Sequence, residues 1–179
     1  MRYRDQPTVE VTERVAADPE VIWGLVTDIE LPARFSTELQ SVEWLDGATS
    51  VAVGNRFRGH NQNVALGEWS TECTVVEVES GRRWCWTVAA GREQMATWGF
   101  EVDPGREATT VRQWARMGPD RSGLNLAIDA MPDKEARIIA RRLDDWRTNM
   151  AANLAGIKAL AEGRSGTGPD ADAPSATTS

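Results

Sequence analysis

Residues 133–162 read DKEARIIARRLDDWRTNMAANLAGIKALAE, and the spacing of the large apolar side chains in this stretch decides the fold. Ile139, Leu143, Trp146, Met150, Leu154, Ile157 and Ala161 step by four, three, four, four, three and four residues. Those intervals put all seven on one stripe of an α-helix running from about Asp133 to Glu162, because a helix turns once every ~3.6 residues. Arg137, Arg141, Arg142, Asp144, Asp145 and Arg147 occupy its flanks and back. At ~1.5 Å per residue such a helix is on the order of 45 Å long. The same spacing suits a coiled coil, but the remaining core-forming residues lie in strands that need a cover. A sheet under one long helix is therefore expected.

The strands can be read upstream. Val9, Val11 and Val15 alternate with polar residues, the period of a half-buried strand. Asp18-Pro19-Glu20 then opens a helix: Asp18 suits the N-cap, Pro19 the first turn, and Glu20 the positive end of the helix dipole. Val21, Ile22, Leu25 and Val26 mark its apolar face, and Pro32 confines the next element, Ile29 to Phe35, to a short helix or turn. Val42 and Trp44 belong to a second strand, and Arg56 to Asn61 to a third. From Gly67 the chain is strongly β. Trp69, Thr71, Cys73 and Val75 share one face. Trp84, Trp86 and Val88 share a face of the next strand, as do Trp98, Phe100 and Val102 of the one after. Thr109 to Met117 closes the series. Short turns such as Ser80-Gly81 and Pro104-Gly105 make the sheet an antiparallel meander.

Gly118 to Pro132 reads as a loop, yet it carries Leu124, Leu126, Ile128 and Met131, so it is expected to cover apolar surface as a lid. Beyond Gly163 no residue larger than alanine is apolar, and residues 163–179 are expected to form a disordered tail. Residues 1–6 form an N-terminal extension and residues 7–162 the single domain.

The element order (strand, two short helices, six strands, long helix) resembles the START-like or SRPBCC superfamily, in its polyketide cyclase/dehydrase-like branch. Four segments carry the resemblance: Asp18-Pro19-Glu20-Val21-Ile22-Trp23; Val53 to Asn61; Trp69 through Val78 with Gly81-Arg82-Arg83-Trp84; and Ser122-Gly123-Leu124 leading into Met131-Pro132-Asp133-Lys134. It implies an α+β helix-grip fold, with a curved antiparallel sheet of about seven strands wrapped around the C-terminal helix and a cavity between them. Members bind lipids, polyketides or other apolar molecules, and some are enzymes. Aromatase/cyclases of this fold use pocket arginine, tyrosine, serine or histidine. Here the single tyrosine, Tyr3, precedes the first strand, and the single histidine, His60, alternates with Arg58 and Gln62 on the solvated face.

Strand alternation nominates the residues that meet a ligand. Asn61 shares the inward direction of Phe57 and Gly59, Thr71 lies between Trp69 and Cys73, and Gln113 lies with Val111, Ala115 and Met117. Trp69, Trp86 and Trp98 are candidates for an aromatic wall, with core packing against the helix as the competing reading. Asn61 can equally end its strand on backbone bonds. A few polar groups among aromatics is the usual make-up of a small-molecule pocket. No residue is assigned to catalysis, since the inward faces offer amides and hydroxyls and no ionisable pair.

Three readings follow: a binder of a small apolar molecule, a polyketide cyclase or dehydratase using the same cavity, and an interaction module with a filled core. The net charge of −7 disfavours a nucleic-acid partner and standing attachment to anionic membrane. No apolar run of ~18 residues suits a membrane span, and Met1 to Asp5 shows no apolar signal segment, so a cytoplasmic location is expected. Cys73 and Cys85 lie among apolar neighbours without metal spacing and are expected to be buried thiols. No cofactor or metal is implied.

Overall fold

The computed structural model describes residues 1–64 and 67–165. Seven strands form one sheet: β1 (Thr8–Val15), β2 (Leu39–Trp44), β3 (Arg56–Asn63), β4 (Gly67–Glu79), β5 (Arg83–Ala90), β6 (Glu93–Asp103) and β7 (Thr109–Met117). Their order is β1-β7-β6-β5-β4-β3-β2, and every pairing is antiparallel. The meander from β2 to β7 thus follows chain order, and β1 closes it by pairing with β7. Short turns suffice for such neighbours. At Ser80-Gly81 the backbone reaches φ +75°, a conformation glycine adopts without a Cβ clash.

Among the described residues three α-helices complete the fold: α1 (Pro19–Val26), α2 (Leu124–Ala130) and α3 (Glu135–Ser165). Asp18 caps α1 as its position predicts, its side chain accepting a hydrogen bond from the Glu20 amide at 2.8 Å. The second short element is a 3-10 turn at Leu31–Arg34. The α3 stripe is borne out: Ile139, Leu143, Met150, Leu154, Ile157 and Ala161 are buried, and Trp146 is half-buried. The helix runs past Glu162 to Ser165, and residues 166–179, where the disordered tail is expected, lie outside the described residues.

The core divides in two along α3. One cluster joins Leu154, Ile157 and Ala161 to Ile22, Val26, Trp84, Phe100, Val102 and Val111. The other joins Ile139, Leu143 and Met150 to Val9, Ala115, Met117, Ile128 and Tyr3. Burial of these side chains from water is the main drive to the fold, roughly 1.5–3 kcal/mol for each large one. The Trp84 indole also donates to the Val26 carbonyl at 3.0 Å, pinning β5 to the end of α1.

One expectation needs correction. Gly118 to Pro132 is not an irregular loop, since Leu124–Ala130 is helical. Asn125 is buried and accepts from the Ser122 amide at 2.8 Å, a local turn that starts the helix without a conventional cap. A single helical turn of apolar spacing, from Leu124 to Ile128, is too short to register as a period. Ile128 packs into the second cluster while Leu126 remains exposed. Tyr3, placed ahead of the domain by the sequence, is buried in that same cluster, and its hydroxyl donates to the carbonyls of Asp120 at 3.0 Å and Met95 at 3.3 Å.

Candidate functional site

Cross-strand register defines what the concave face presents. One row runs Trp86–Trp98–Ala115–Val9, and the next runs Trp84–Phe100–Gln113–Val11. Towards the far edge, Asn61 pairs with Trp69, Gly59 with Thr71 and Phe57 with Cys73. All six nominated residues therefore share the concave face. That placement follows from period-two alternation in strands with settled register.

They fall into three groups. Trp86 and Trp98 form the aromatic wall, with ring centroids 6.2 Å apart and planes 17° from parallel. Trp84 stacks on Trp86 at 4.4 Å, and Trp146 of α3 meets Trp98 at 4.9 Å and 56°. Trp84 is fully buried, whereas Trp86, Trp98 and Trp146 are half-buried. The aromatic row is thus solid at the α1 end and partly open towards the N-terminal half of α3. Asn61 and Trp69 instead line an open depression of about 450 Å³, shared with Gln40, His60 and Glu68. The Asn61 amide reaches only the Gly59 carbonyl, at 3.4 Å. Thr71 stands beside Gly59.

Gln113 is 5% exposed and accepts a hydrogen bond at 3.0 Å from Nδ2 of Asn153, itself 3% exposed, on α3. Sequence reasoning passed over Asn153, although a signal existed. It stands three residues after Met150 and four before Ile157, so it is a polar residue in phase with the apolar stripe.

A strap crosses from α3 to the segment before β2. Arg142 makes a bidentate pair with Glu38 at 2.6 and 2.7 Å, and both side chains are less than one-fifth exposed. Oδ1 of Asn149 accepts from the Thr37 amide at 2.9 Å and from the hydroxyls of Ser36 and Thr37 at 3.2 Å. The Arg142 guanidinium lies 5.4 Å from the Trp146 ring centroid, close enough for cation–π attraction. The strap therefore touches the aromatic wall. Its partners are more than a hundred residues apart, and nothing local announces them.

The ionisable groups give little for proton transfer. His60 is exposed on the convex face, 3.3 Å from Glu43. Burial pushes the Cys73 thiol up to about 12 and the Cys85 thiol up to about 11, so both stay protonated near neutrality. Both cysteines are free. Glu13 lies at the β1 edge under Lys158 of α3, at 2.7 Å. The hydrogen bond from that ammonium holds the carboxyl below its ordinary value. Trp114 occupies the convex face, where its indole lies across Gly99. Among the described residues, no group of three or more His, Cys, Asp or Glu is placed to hold a metal ion, and no helix is long and apolar enough to cross a membrane.

Comparison with solved structures returns the same architecture. The Polyketide_cyc-like protein Cgl2372 from Corynebacterium glutamicum is 25% identical, with a TM-score of 0.61 over 88% of this chain and 92% of that one. DR_A0006 from Deinococcus radiodurans superposes with a TM-score of 0.58 at 18% identity, over 88% of this chain and 99% of that one. StfQ, a di-domain ARO/CYC of the steffimycin biosynthetic pathway, gives a TM-score of 0.68 at 16% identity. The match to StfQ covers 92% of this chain but 54% of that protein, about half its length. No curated protein matches. The family described as polyketide cyclase / dehydrase and lipid transport matches residues 6–162, nearly the whole described chain, and the protein belongs to that family.

Proposed function

We propose that this protein binds a small apolar molecule, in the size range of a lipid or polyketide, between the concave face of the sheet and α3. The observation that carries the reading is the unequal burial of one continuous aromatic row. Trp84 and Phe100 are sealed in the core, while Trp86 and Trp98, stacked in line with them, and Trp146, tilted against Trp98 from α3, remain partly exposed. Large apolar rings left partly open on an inward face lose burial free energy unless something covers them, at ~25 cal/mol per Å². Family membership supports the same reading, since the family description joins cyclases and dehydrases with lipid transport.

An enzymatic role in the same gap needs a proton donor and an acceptor facing the ligand. Of the carboxylates nearest α3, Glu13 is paired with Lys158 and Glu38 with Arg142, so each already has a cationic partner. Binding is accordingly the reading we adopt. Native mass spectrometry of the purified protein, before and after denaturing extraction, tests it. A stoichiometric apolar adduct released on extraction is the expected result. A bare chain that also fails to take up added apolar probes contradicts it.

A further inference from the structure

The amide of Asn153 has one end occupied and one end open. Its nitrogen donates to Gln113 Oε1 across the gap between α3 and β7, so the side chain is directed at the concave face. Its Oδ1 is buried and accepts no hydrogen bond. A carbonyl-type oxygen in that condition forfeits its hydration without replacement, and native interiors rarely leave such a group unpaired.

Its position is specific. Along β7, Val111 belongs to one core cluster and Ala115 to the other, with Gln113 between them. Along α3, Met150 belongs to one cluster and Leu154 and Ile157 to the other, with Asn153 between them. Val11, the β1 partner of Gln113, packs against both clusters. The amide pair is therefore the polar seam where the two halves of the core meet. On the sheet, Gln113 pairs with Phe100, and the next inward residue, Ala115, pairs with Trp98. The seam thus adjoins the aromatic row at the point where it passes from sealed to half-open.

We infer that Asn153 Oδ1 is a specificity-determining acceptor, and that the ligand is an apolar alcohol or phenol whose inner end donates a hydrogen bond to it. This inference rests on the binding reading above and narrows it. A chain lipid entering with its hydrocarbon tail first would leave the oxygen unpaired. A ring hydroxyl would satisfy it while the ring lies against Trp98 and Trp86. Gln113 acts as a positioning residue, because its hold on Nδ2 fixes which edge of the Asn153 amide faces the ligand.

The test compares 2-naphthol with 2-methoxynaphthalene, titrated into the full chain by isothermal calorimetry. The two share a ring system and an ether-type or hydroxyl oxygen, but only the first can donate. The expected result is about tenfold tighter binding of 2-naphthol, the size of one hydrogen bond made in a dry site. A Gln113→Leu/Asn153→Leu double variant replaces both partners with apolar groups of similar size, an exchange that proteins tolerate better than loss of one partner. A thermal melt confirms that it is folded. In it the preference should fall to about twofold or less. Equal affinities in the natural protein, or a preference unchanged in the folded double variant, overturns the inference and leaves the binding reading standing. Failure of both probes to bind the natural protein counts against the binding reading itself and takes the inference with it.

Discussion

Gly156 lies on α3 where a Cβ would run into three ring carbons of Phe35, the residue that ends the Leu31–Arg34 turn. Helix propensity alone says that Gly156→Ala stabilises an exposed helix by about 1 kcal/mol. Contact with Phe35 reverses the sign, since overpacking a close approach is destabilising by typically 1–3 kcal/mol. We expect Gly156→Ala to lower the unfolding free energy by about 1–2 kcal/mol in urea titration, and a gain would contradict the packing described here. The inward direction of Asn61, Trp69, Thr71, Trp86, Trp98 and Gln113 was legible, because alternation along a strand fixes which face a side chain takes. What each one touches was not. Gln113 meets Asn153, forty residues later in the chain, and no local pattern encodes such a partner.

Between elements, two ionic contacts hold α3 to the sheet and its edge. The first is Arg142 with Glu38. With both side chains less than one-fifth exposed, the pair is drier than a surface bridge and is worth more than the usual fraction of a kcal/mol. Glu38→Gln keeps the shape and loses the charge, and should cost about 1–2 kcal/mol by denaturant titration. A change within about 0.3 kcal/mol would mean that the strap is solvated and holds nothing. The second contact is Glu13 with Lys158, which joins β1 to α3. The folded Glu13 carboxyl titrates below its ordinary value of 4.5, mainly through the hydrogen bond from Lys158. A lowered folded pKa means that the contribution is complete above the unfolded value and is lost as pH falls through the folded one. Glu72, held down by hydrogen bonds from Arg58 and Arg56, acts in the same sense. Stability should therefore decline as pH drops below about 4.5, and Glu13→Gln should flatten that decline by lowering the plateau near neutrality while leaving stability at low pH, where the contribution is already lost, unchanged. The elements were the most legible scale. Six strands between α1 and the long helix follow from alternation, and α3 follows from its stripe. The short α2 escaped because Leu124 and Ile128 make only one helical interval.

For the molecule as a whole, the proposed binding site lies on one face of the sheet and at one end of α3. The sealed end holds Trp84, bonded to Val26, and the half-open end holds Trp86, Trp98 and Trp146. The convex face carries ion pairs joining Arg56, Arg58 and Glu72, and Arg112 with Glu10 and Glu101. The fold class could be read from periodicity and from the family resemblance, because both rest on patterns repeated over many residues. Which part of the aromatic row stays open could not be read, because that depends on how far the sheet curls and where α3 sits across it. The eight tryptophans turn this into a direct measurement, since each gives one indole N–H signal in a proton–nitrogen correlation spectrum. Titration with 2-naphthol should move the signals of Trp86, Trp98 and Trp146 and leave that of Trp114, on the convex face, in place. Movement confined to Trp114 and the other tryptophans outside the wall, with Trp86, Trp98 and Trp146 unchanged, would contradict the central claim.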